Sequence, residues 1–218
     1  MRYLFYIFLA WALNVSFKSG KGARGSGGNS EWNDAHHAVL WTKDSFSGDV
    51  KIEFDYTKTD HENRFVNILY IQATGHGKGV HERDISEWKK KREVPAMREY
   101  FENMNVFLIS YAAFGNSGDG THYIRARRYP KLDEKPFKQT LIEPSYDDQG
   151  LFETGKTYHI TAIKNKEQLY FKMESKGDQS TFTWDIQKVE PIEQGRIGIL
   201  LMYTRSAFYK NIKIYTKE

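Results

Sequence analysis

Residues 121–130, THYIRARRYP, place imidazole, phenol and guanidinium groups within the length of one β-strand. Side chains alternate between the two faces of a strand, so we expect Tyr123, Arg125 and Arg127 on one face and His122 on the other. Arginine binds carboxylate and sulfate through paired hydrogen bonds, and its charge favours ionisation of a nearby phenol. The segment therefore predicts an anion-binding face. The simpler alternative is a solvated face whose arginines pair with the chain's own carboxylates.

Two further segments could extend this polar face. FVNILYIQAT supplies Gln72, which strict alternation places on the same face as Tyr70. NVFLISYAAF places Ser110 and Tyr111 on opposite faces. If the polar faces of the three strands align, they form one wide polar surface with core on its reverse side.

The adjacent histidines of DAHHAVLW point to opposite faces if this segment is a strand. His37 then shares a face with Val39 and Trp41. Metal binding by Asp34, His36 and His37, or by His76 and His81, is an alternative, but neither spacing matches a recognised ligand pattern. We therefore expect no cofactor, and we leave a structural calcium ion open.

Two hydrolytic chemistries are weaker alternatives. The chain has no G-x-S-x-G motif, which argues against a serine hydrolase. Glu53 and Asp55 share a strand face at roughly 6.5–7 Å, a separation compatible with paired carboxylates of a glycoside hydrolase. No E-x-D-x-x-E arrangement accompanies them, and solvent-facing alternation explains them more simply.

The segments that carry these candidate residues have the sequence pattern of β-strands. VKIEFDYT alternates apolar and polar residues, and the neighbouring segments end at turn signals. Roughly seven to ten such strands predict an all-β sandwich or jelly roll. Helical composition is confined to a short insertion around 83–104, interrupted by Pro95. The excursions 75–104 and 129–153 are longer than simple connections, so we expect them to rim a cleft.

Length, charge and the N-terminus indicate one exported domain. The chain has 218 residues, no cysteine and a net charge of +4, which excludes disulfides and gives no indication of nucleic-acid binding. Residues 1–19 read as a secretory signal peptide, with an uncleaved anchor as the alternative. Residues 20–30 form a Gly/Ser-rich linker, and 31–218 form the domain. We therefore expect a bacterial periplasmic or secreted protein with no membrane contact beyond the signal peptide.

Five segments resemble the YesU-like family, a domain of unknown function with a concanavalin-A-like sandwich found in bacterial clusters for acidic polysaccharides. They are DAHHAVLWTKDSFSGDVKIEFDYT, NILYIQATG, NVFLISY, IRARR and GRIGILLMYTRSAFYKNIKIY, within residues 31–218. The last segment specifies fold more than activity. The positions that match the family are His37, Asn105, Ser110, Tyr111 and Arg125. The chain departs from the family before HHAVLW, where the family has a longer N-terminal portion and this sequence leaves little room for the expected first strands.

The resemblance implies β-elimination on a uronate, by a polysaccharide lyase or an oligosaccharide dehydratase that leaves a 4,5-unsaturated product. That reaction needs a clamp for the carboxylate, a base for the C5 proton and an acid for the leaving group. The clamp candidates are Arg125 and Arg127, with Asn67, Gln72 and Asn105 as further substrate-binding residues. The base and acid candidates are Tyr111, Tyr123, His37 and His122.

A non-catalytic carbohydrate-binding module of the same fold is the main alternative. Trp41, Trp88 and Trp184 would stack on sugar faces while the two arginines hold carboxylate or sulfate. A lyase needs His, Tyr and Arg side chains that meet in a cleft, whereas a binding module needs aromatic side chains along an open face. In both interpretations the partner is an anionic poly- or oligosaccharide.

Overall fold

Alternating apolar and polar residues build two antiparallel sheets that pack face to face. The computed structural model describes residues 13–18, 34–79, 81–130 and 136–217. Its strands are β1 (Leu13–Lys18), β2 (Ala38–Ser47), β3 (Asp49–Lys58), β4 (Asn67–Gly75), β5 (Met104–Phe114), β6 (His122–Tyr129), β7 (Leu141–Asp147), β8 (Thr157–Lys164), β9 (Gln168–Ser175), β10 (Asp178–Asp185), β11 (Gln194–Leu201) and β12 (Ser206–Lys217). Sheet A has the order β1-β12-β3-β8-β9-β10, and sheet B has the order β2-β11-β4-β5-β6-β7. The predicted all-β sandwich is confirmed.

The core between the sheets follows from period-two patterning. In β3 the buried apolar residues are Val50, Ile52, Phe54 and Tyr56, and the residues between them are partly exposed. Apolar side chains from β4, β5, β6 and β11 of sheet B face this row across the sandwich. Burial of this apolar area is the main term that holds the two sheets together.

A strand that the sequence did not reveal lies within the excursion 129–153. β7 contains Pro144 and acidic residues, which obscure the alternating pattern. Pro144 is compatible with a strand here because β7 is the outer strand of sheet B, and an edge strand can lose ladder hydrogen bonds.

The insertion around 83–104 contains one short helix, as predicted, together with turns of 3₁₀ helix. The 3₁₀ turns span Ile85–Trp88 and Lys90–Arg92, and α1 spans Met97–Asn103. Pro95 separates them because proline cannot supply the backbone donor that a continuous helix needs. Asp84 caps the first turn, since its carboxylate accepts a hydrogen bond from the Ser86 backbone N–H.

The insertion buries its own apolar side chains on the outer face of sheet B. Trp88 and Tyr100 are 0% and 1% exposed, and they pack with Tyr70, Leu108 and Leu200 of the sheet. Most of the outer face predicted to be one wide polar surface is therefore apolar and covered. The polar residues of THYIRARRYP lie on the side of sheet B that carries β6 and β7.

Two irregularities explain why strict alternation fails along the strands. Gln72 in β4 and Ala112 in β5 have positive φ angles of 55° and 42°, and the strand register shifts at both places. An inserted residue of this kind reverses the faces on which the subsequent residues of the strand lie. Tyr70 consequently lies on the outer face, whereas Gln72 points into the sandwich.

The predicted signal peptide and linker lie mostly outside the described residues. Within residues 1–19 the structure describes only β1, which pairs antiparallel with β12 at the edge of sheet A. The signal peptide and the linker at 20–30 remain predictions. Among the described residues, no helix is long and apolar enough to cross a membrane.

Candidate functional site

Tyr123, Arg125 and Arg127 of β6 form one polar surface on the outer side of sheet B, called the arginine face below. The alternate residues Ile124 and Ala126 belong to the core between the sheets, so the three polar side chains point away from it. All three are partly buried. The alternation predicted from THYIRARRYP therefore describes this strand correctly.

Arg125 is paired with a carboxylate of the chain. Its Nη2 donates to Asp147 Oδ1 at 2.8 Å, and its Nε donates to Ser145 Oγ at 2.7 Å. The guanidinium also lies 3.8 Å from the ring centroid of Tyr123. The pKa of Asp147 is lowered by the Ser145 hydrogen bond and by Arg125. Arg125 therefore matches the simpler alternative drawn from the sequence, in which an arginine of this face pairs with a carboxylate of the same chain.

Arg127 has no such partner in the part of the chain that the structure describes. Its Nη1 donates to Thr140 Oγ1 at 3.0 Å, and its guanidinium stacks on Phe137, 4.5 Å from the ring centroid. Burial lowers the pKa of Arg127. A partly desolvated guanidinium without a carboxylate is an unfavourable arrangement that a bound anion would relieve.

An aromatic wall made of Phe101, Tyr129 and Phe137 stands beside Arg127. The Phe101 and Phe137 rings are 5.1 Å apart, and Tyr129 lies 6.3 Å from Phe101 and 6.1 Å from Phe137. Phe101 belongs to α1, and Phe137 begins a 3₁₀ turn in the second excursion. The two long excursions therefore meet above β6.

The sequence predicted that the neighbouring arginines lower the pKa of the Tyr123 phenol, but the structure indicates the opposite. Arg125 and Arg127 favour its ionisation, but burial opposes it more strongly, and the net effect raises the pKa of Tyr123 above 10.0. In this state the phenol is a hydrogen-bonding and stacking group rather than a base.

Tyr111 is not in the site, contrary to the prediction. It is 0% exposed, and its hydroxyl lies 2.7 Å from the Tyr209 hydroxyl between the two sheets. Burial raises the pKa of Tyr111 well above its ordinary value. The residue has no route to a substrate, because the face it shares with the apolar residues of β5 is the core face.

The two predicted catalytic histidines are also separated from the arginine face. His37 lies just before β2, at the opposite edge of sheet B; its Nδ1 is 2.8 Å from the Pro95 carbonyl, and Tyr203 packs on its ring at 4.5 Å. Burial lowers the pKa of His37. His122 is on the side of β6 opposite Tyr123, with its ring 6.4 Å from that of Phe114. Of the base and acid candidates, Tyr123 therefore lies with the two arginines, whereas His37, His122 and Tyr111 do not.

Asn67 and Gln72 point into the sandwich and serve its structure. Asn67 Nδ2 donates to the Tyr56 hydroxyl at 2.6 Å. Gln72 Nε2 donates to the carbonyls of Phe46 and Gly48, each at 3.0 Å, which ties the turn between β2 and β3 to β4. Neither amide is available for a carboxylate clamp.

Asn105 lies in a groove at the end of the sandwich, away from the arginine face. The groove has a volume of 1310 Å³, and its lining includes the turn between β2 and β3 and residues 186–187 and 189–194. Asn105 Nδ2 donates to Thr74 Oγ1 at 3.3 Å. Arg196 on its rim binds the Asp84 carboxylate with two nitrogens, at 3.0 and 3.1 Å.

The tryptophans do not form an open aromatic platform. Trp88 and Trp184 are 0% exposed. Trp41 is partly buried and stacks on Tyr70 at 5.2 Å, at the β2 side of sheet B. The exposed aromatic next to an arginine is instead Phe137, at 38%. Sequence reasoning missed it because PFKQT lies in a segment without strand or helix periodicity.

The two carboxylates considered for glycoside hydrolysis, Glu53 and Asp55, each form an ion pair within the chain. Glu53 forms an ion pair with Lys51 at 2.6 Å, and Asp55 pairs with His159 at 2.8 Å on the outer face of sheet A. Among the described residues there is no group of three or more His, Asp or Glu side chains placed to hold a metal ion.

Comparisons with known proteins identify the fold. No family model matches the chain, and no curated protein matches it. A protein of unknown function with a galectin-like fold from Bacillus subtilis has a TM-score of 0.62 and 17% identity, covering 83% of this chain and 77% of its own. A legume lectin-like domain from Entamoeba histolytica has a TM-score of 0.54 and 10% identity, covering 98% and 87%.

A third similar structure is the exoplasmic/lumenal domain of VIP36 in its Ca²⁺/Man3GlcNAc-bound form. It has a TM-score of 0.53 and 9% identity, covering 84% of this chain and 74% of its own. At these identities the likeness establishes the galectin-like and legume-lectin-like sandwich, in agreement with the predicted concanavalin-A-like fold, and no more.

Proposed function

We propose that this chain is a carbohydrate-binding protein that holds an acidic saccharide on the arginine face. The observation that carries the proposal is the Arg127 guanidinium, which is partly buried, lacks a carboxylate partner in the described chain and stacks on the exposed Phe137. A cation beside an aromatic ring suits a sugar that carries a carboxylate or sulfate, because the ring packs on apolar sugar C–H groups while the guanidinium binds the anion.

The fold and the family resemblance support this choice. Two similar structures are described as lectin-like or as bound to a mannose-containing saccharide, so the sandwich is a scaffold on which sugar sites occur. The resemblance to YesU-like proteins points to uronate-containing polysaccharides. A periplasmic or secreted location would expose the protein to such polymers.

The proposal is tested by calorimetric titration with three matched saccharides of equal length: a uronate oligosaccharide, a sulfated one and a neutral one. We expect the acidic saccharides to bind and the neutral one to bind much more weakly. The affinity should fall with added salt, since a charged contact at a partly exposed site is screened. Equal affinity for neutral and acidic saccharides would overturn the role assigned to Arg127.

A second candidate is the predicted β-elimination on a uronate, favoured by the contact between Tyr123 and Arg125. In this chemistry Arg125 or Arg127 would neutralise the carboxylate, and Tyr123 as phenolate would take the C5 proton. The C4–O bond would then break, and the Tyr123 phenol would return that proton to the leaving oxygen. The raised pKa of Tyr123 and the separation of His37 and His122 weigh against it.

Ultraviolet absorbance separates the two candidates, because a C4–C5 double bond conjugated to a carboxylate absorbs. Absorbance that rises during incubation with a uronate oligosaccharide would make the protein an enzyme, and Tyr123→Phe should then abolish the rise. Binding without any rise supports the carbohydrate-binding protein.

A further inference from the structure

The arginine face is closed at the end where Arg127 lies. Phe101 from the first excursion and Phe137 from the second touch at 5.1 Å, with Tyr129 of β6 packed against both. Tyr129 is 1% exposed, so the base of this aromatic wall is part of the folded structure. A ligand that lies along β6 therefore meets the wall directly beyond Arg127.

The face is also closed on the side towards β4. There the insertion covers the sheet, since Tyr100 packs edge-on against Tyr70 at 5.9 Å and against Trp41 at 6.3 Å. Trp41 and Tyr70 stack on each other, so aromatic rings fill the outer side of sheet B from β2 to β4. A polymer cannot cross the sheet through this region without displacing a buried cluster.

Among the described residues, no comparable aromatic cover lies past Arg125 and Tyr123 on the side of β7. The Asp147 carboxylate and the Ser145 hydroxyl bound by Arg125 are at this side, and Asp147 is 58% exposed. In the part of the chain that the structure describes, the aromatic wall thus bounds one end of this polar surface, the blind end, and the guanidinium without a carboxylate partner stands there.

From this geometry we propose that the arginine face recognises the terminal residue of an acidic glycan chain, with its carboxylate or sulfate on Arg127 and the rest of the chain leaving past Arg125. This inference rests on the proposed function and adds to it the part of the polymer that is bound. An internal segment would need space on both sides of Arg127, and the aromatic wall occupies one of them.

The experiment uses the full chain with a homogalacturonan polymer and with portions of the same polymer shortened by partial acid hydrolysis. The binding capacity, which is the number of protein molecules bound by a constant mass of saccharide, is measured by sedimentation or calorimetry. We expect the number of bound proteins to rise in proportion to the number of chain ends, and the molar affinity for oligogalacturonates to be independent of their length. Capacity that stays constant on shortening, with acidic oligosaccharides still bound, would overturn end recognition and leave the proposed function intact.

Failure of every acidic saccharide to bind would overturn the proposed function itself, so the two failures are distinguishable. The end is identified by coupling an amine label to the reducing terminus: loss of binding assigns the reducing end, and retained binding assigns the non-reducing end. Either result is consistent with terminal recognition, because each places one chain end in the blind site.

A variant of the wall tests its role directly. Phe101→Ala removes a wall ring that the proposed sugar contact with Phe137 does not use, and it should allow polymer to pass, so that binding capacity follows polymer mass rather than the number of ends. The control is Phe208→Ala, since Phe208 is 45% exposed and lies on sheet A. If Phe101→Ala retains end-dependent capacity, the wall does not determine end recognition and this part of the proposal is wrong.

Discussion

The guanidinium of Arg127 lies 4.5 Å from the ring centroid of Phe137, although a strand and an excursion supply the two residues. The contact joins the charge predicted from the sequence to an aromatic ring that the sequence did not single out. It also explains how a cation is tolerated beside Tyr129 and Phe101 without a carboxylate from the described chain, because a guanidinium stacks favourably on an aromatic face.

Arg127→Met should separate binding from stability. We expect the affinity for an acidic oligosaccharide to fall by roughly 10- to 100-fold, since a hydrogen bond to a charged group contributes about 1.5–3 kcal/mol. The free energy of unfolding should change by less than about 1 kcal/mol, because removal of a partly desolvated charge that has no carboxylate partner among the described residues offsets the lost hydrogen bond to Thr140. Calorimetric titration and urea unfolding measure the two effects.

The matched control for that variant is Arg98→Met. Arg98 is on α1 and forms an exposed pair with Glu102 at 2.9 Å, so it should affect neither binding nor stability measurably. Equal loss of affinity in both variants would mean that net charge, rather than Arg127, governs binding.

Tyr111→Phe and Tyr123→Phe should have opposite effects. The Tyr111 hydroxyl bonds to that of Tyr209 inside the sandwich, so we expect its loss to lower the free energy of unfolding by about 1–2 kcal/mol while saccharide affinity stays unchanged. Tyr123→Phe should weaken saccharide binding and leave stability nearly unchanged. Loss of function in Tyr111→Phe at unchanged stability would restore Tyr111 as a site residue.

Acid should weaken the link between the insertion and β11. Hydrogen bonds from Arg196 lower the pKa of Asp84 from 3.8 to about 2 in the folded protein. A depressed carboxyl pKa contributes stability that is present above the unfolded-state pKa and is lost as the pH falls through the folded-state value. The stabilising contribution of Asp84 should therefore shrink below about pH 4.

The measurement compares urea unfolding of the wild type with that of Asp84→Asn at about pH 6 and about pH 3. Asp84 is 51% exposed, so the difference at the higher pH should be modest, and it should narrow at the lower pH. Asp44→Asn, at an exposed position in β2, serves as the control. A difference between wild type and Asp84→Asn that does not depend on pH would contradict the assignment.

Arg205→Met should be strongly destabilising. Arg205 is 0% exposed, and its Nη1 donates to the carbonyls of Ala112 at 2.6 Å and of Phe65 at 3.0 Å, both of which have positive φ. Its Nε also binds the buried Asp60 at 3.2 Å. Breaking a buried pair of this kind costs about 3–5 kcal/mol. A loss of less than about 1 kcal/mol in urea unfolding would contradict this assignment and show that Lys58, which also forms an ion pair with Asp60, compensates.

The sequence by itself determined the sandwich and the composition of the arginine face. The alternation in β3 and β6 is a local property of extended backbone, so side chains two residues apart share a face whatever the rest of the chain does. That is sufficient to place Tyr123, Arg125 and Arg127 together and to separate them from His122.

Only the tertiary structure decided which faces are buried and which groups meet. The sequence correctly predicts that Phe107, Ile109 and Tyr111 of β5 share a face. It does not show that this face is the core, because burial of a strand face depends on the opposite sheet. The positive φ of Gln72 turns that amide inward, and strand periodicity does not predict such an irregularity. The contact between Phe101 and Phe137 joins two excursions without strong periodicity, so it exists only once both pack over β6.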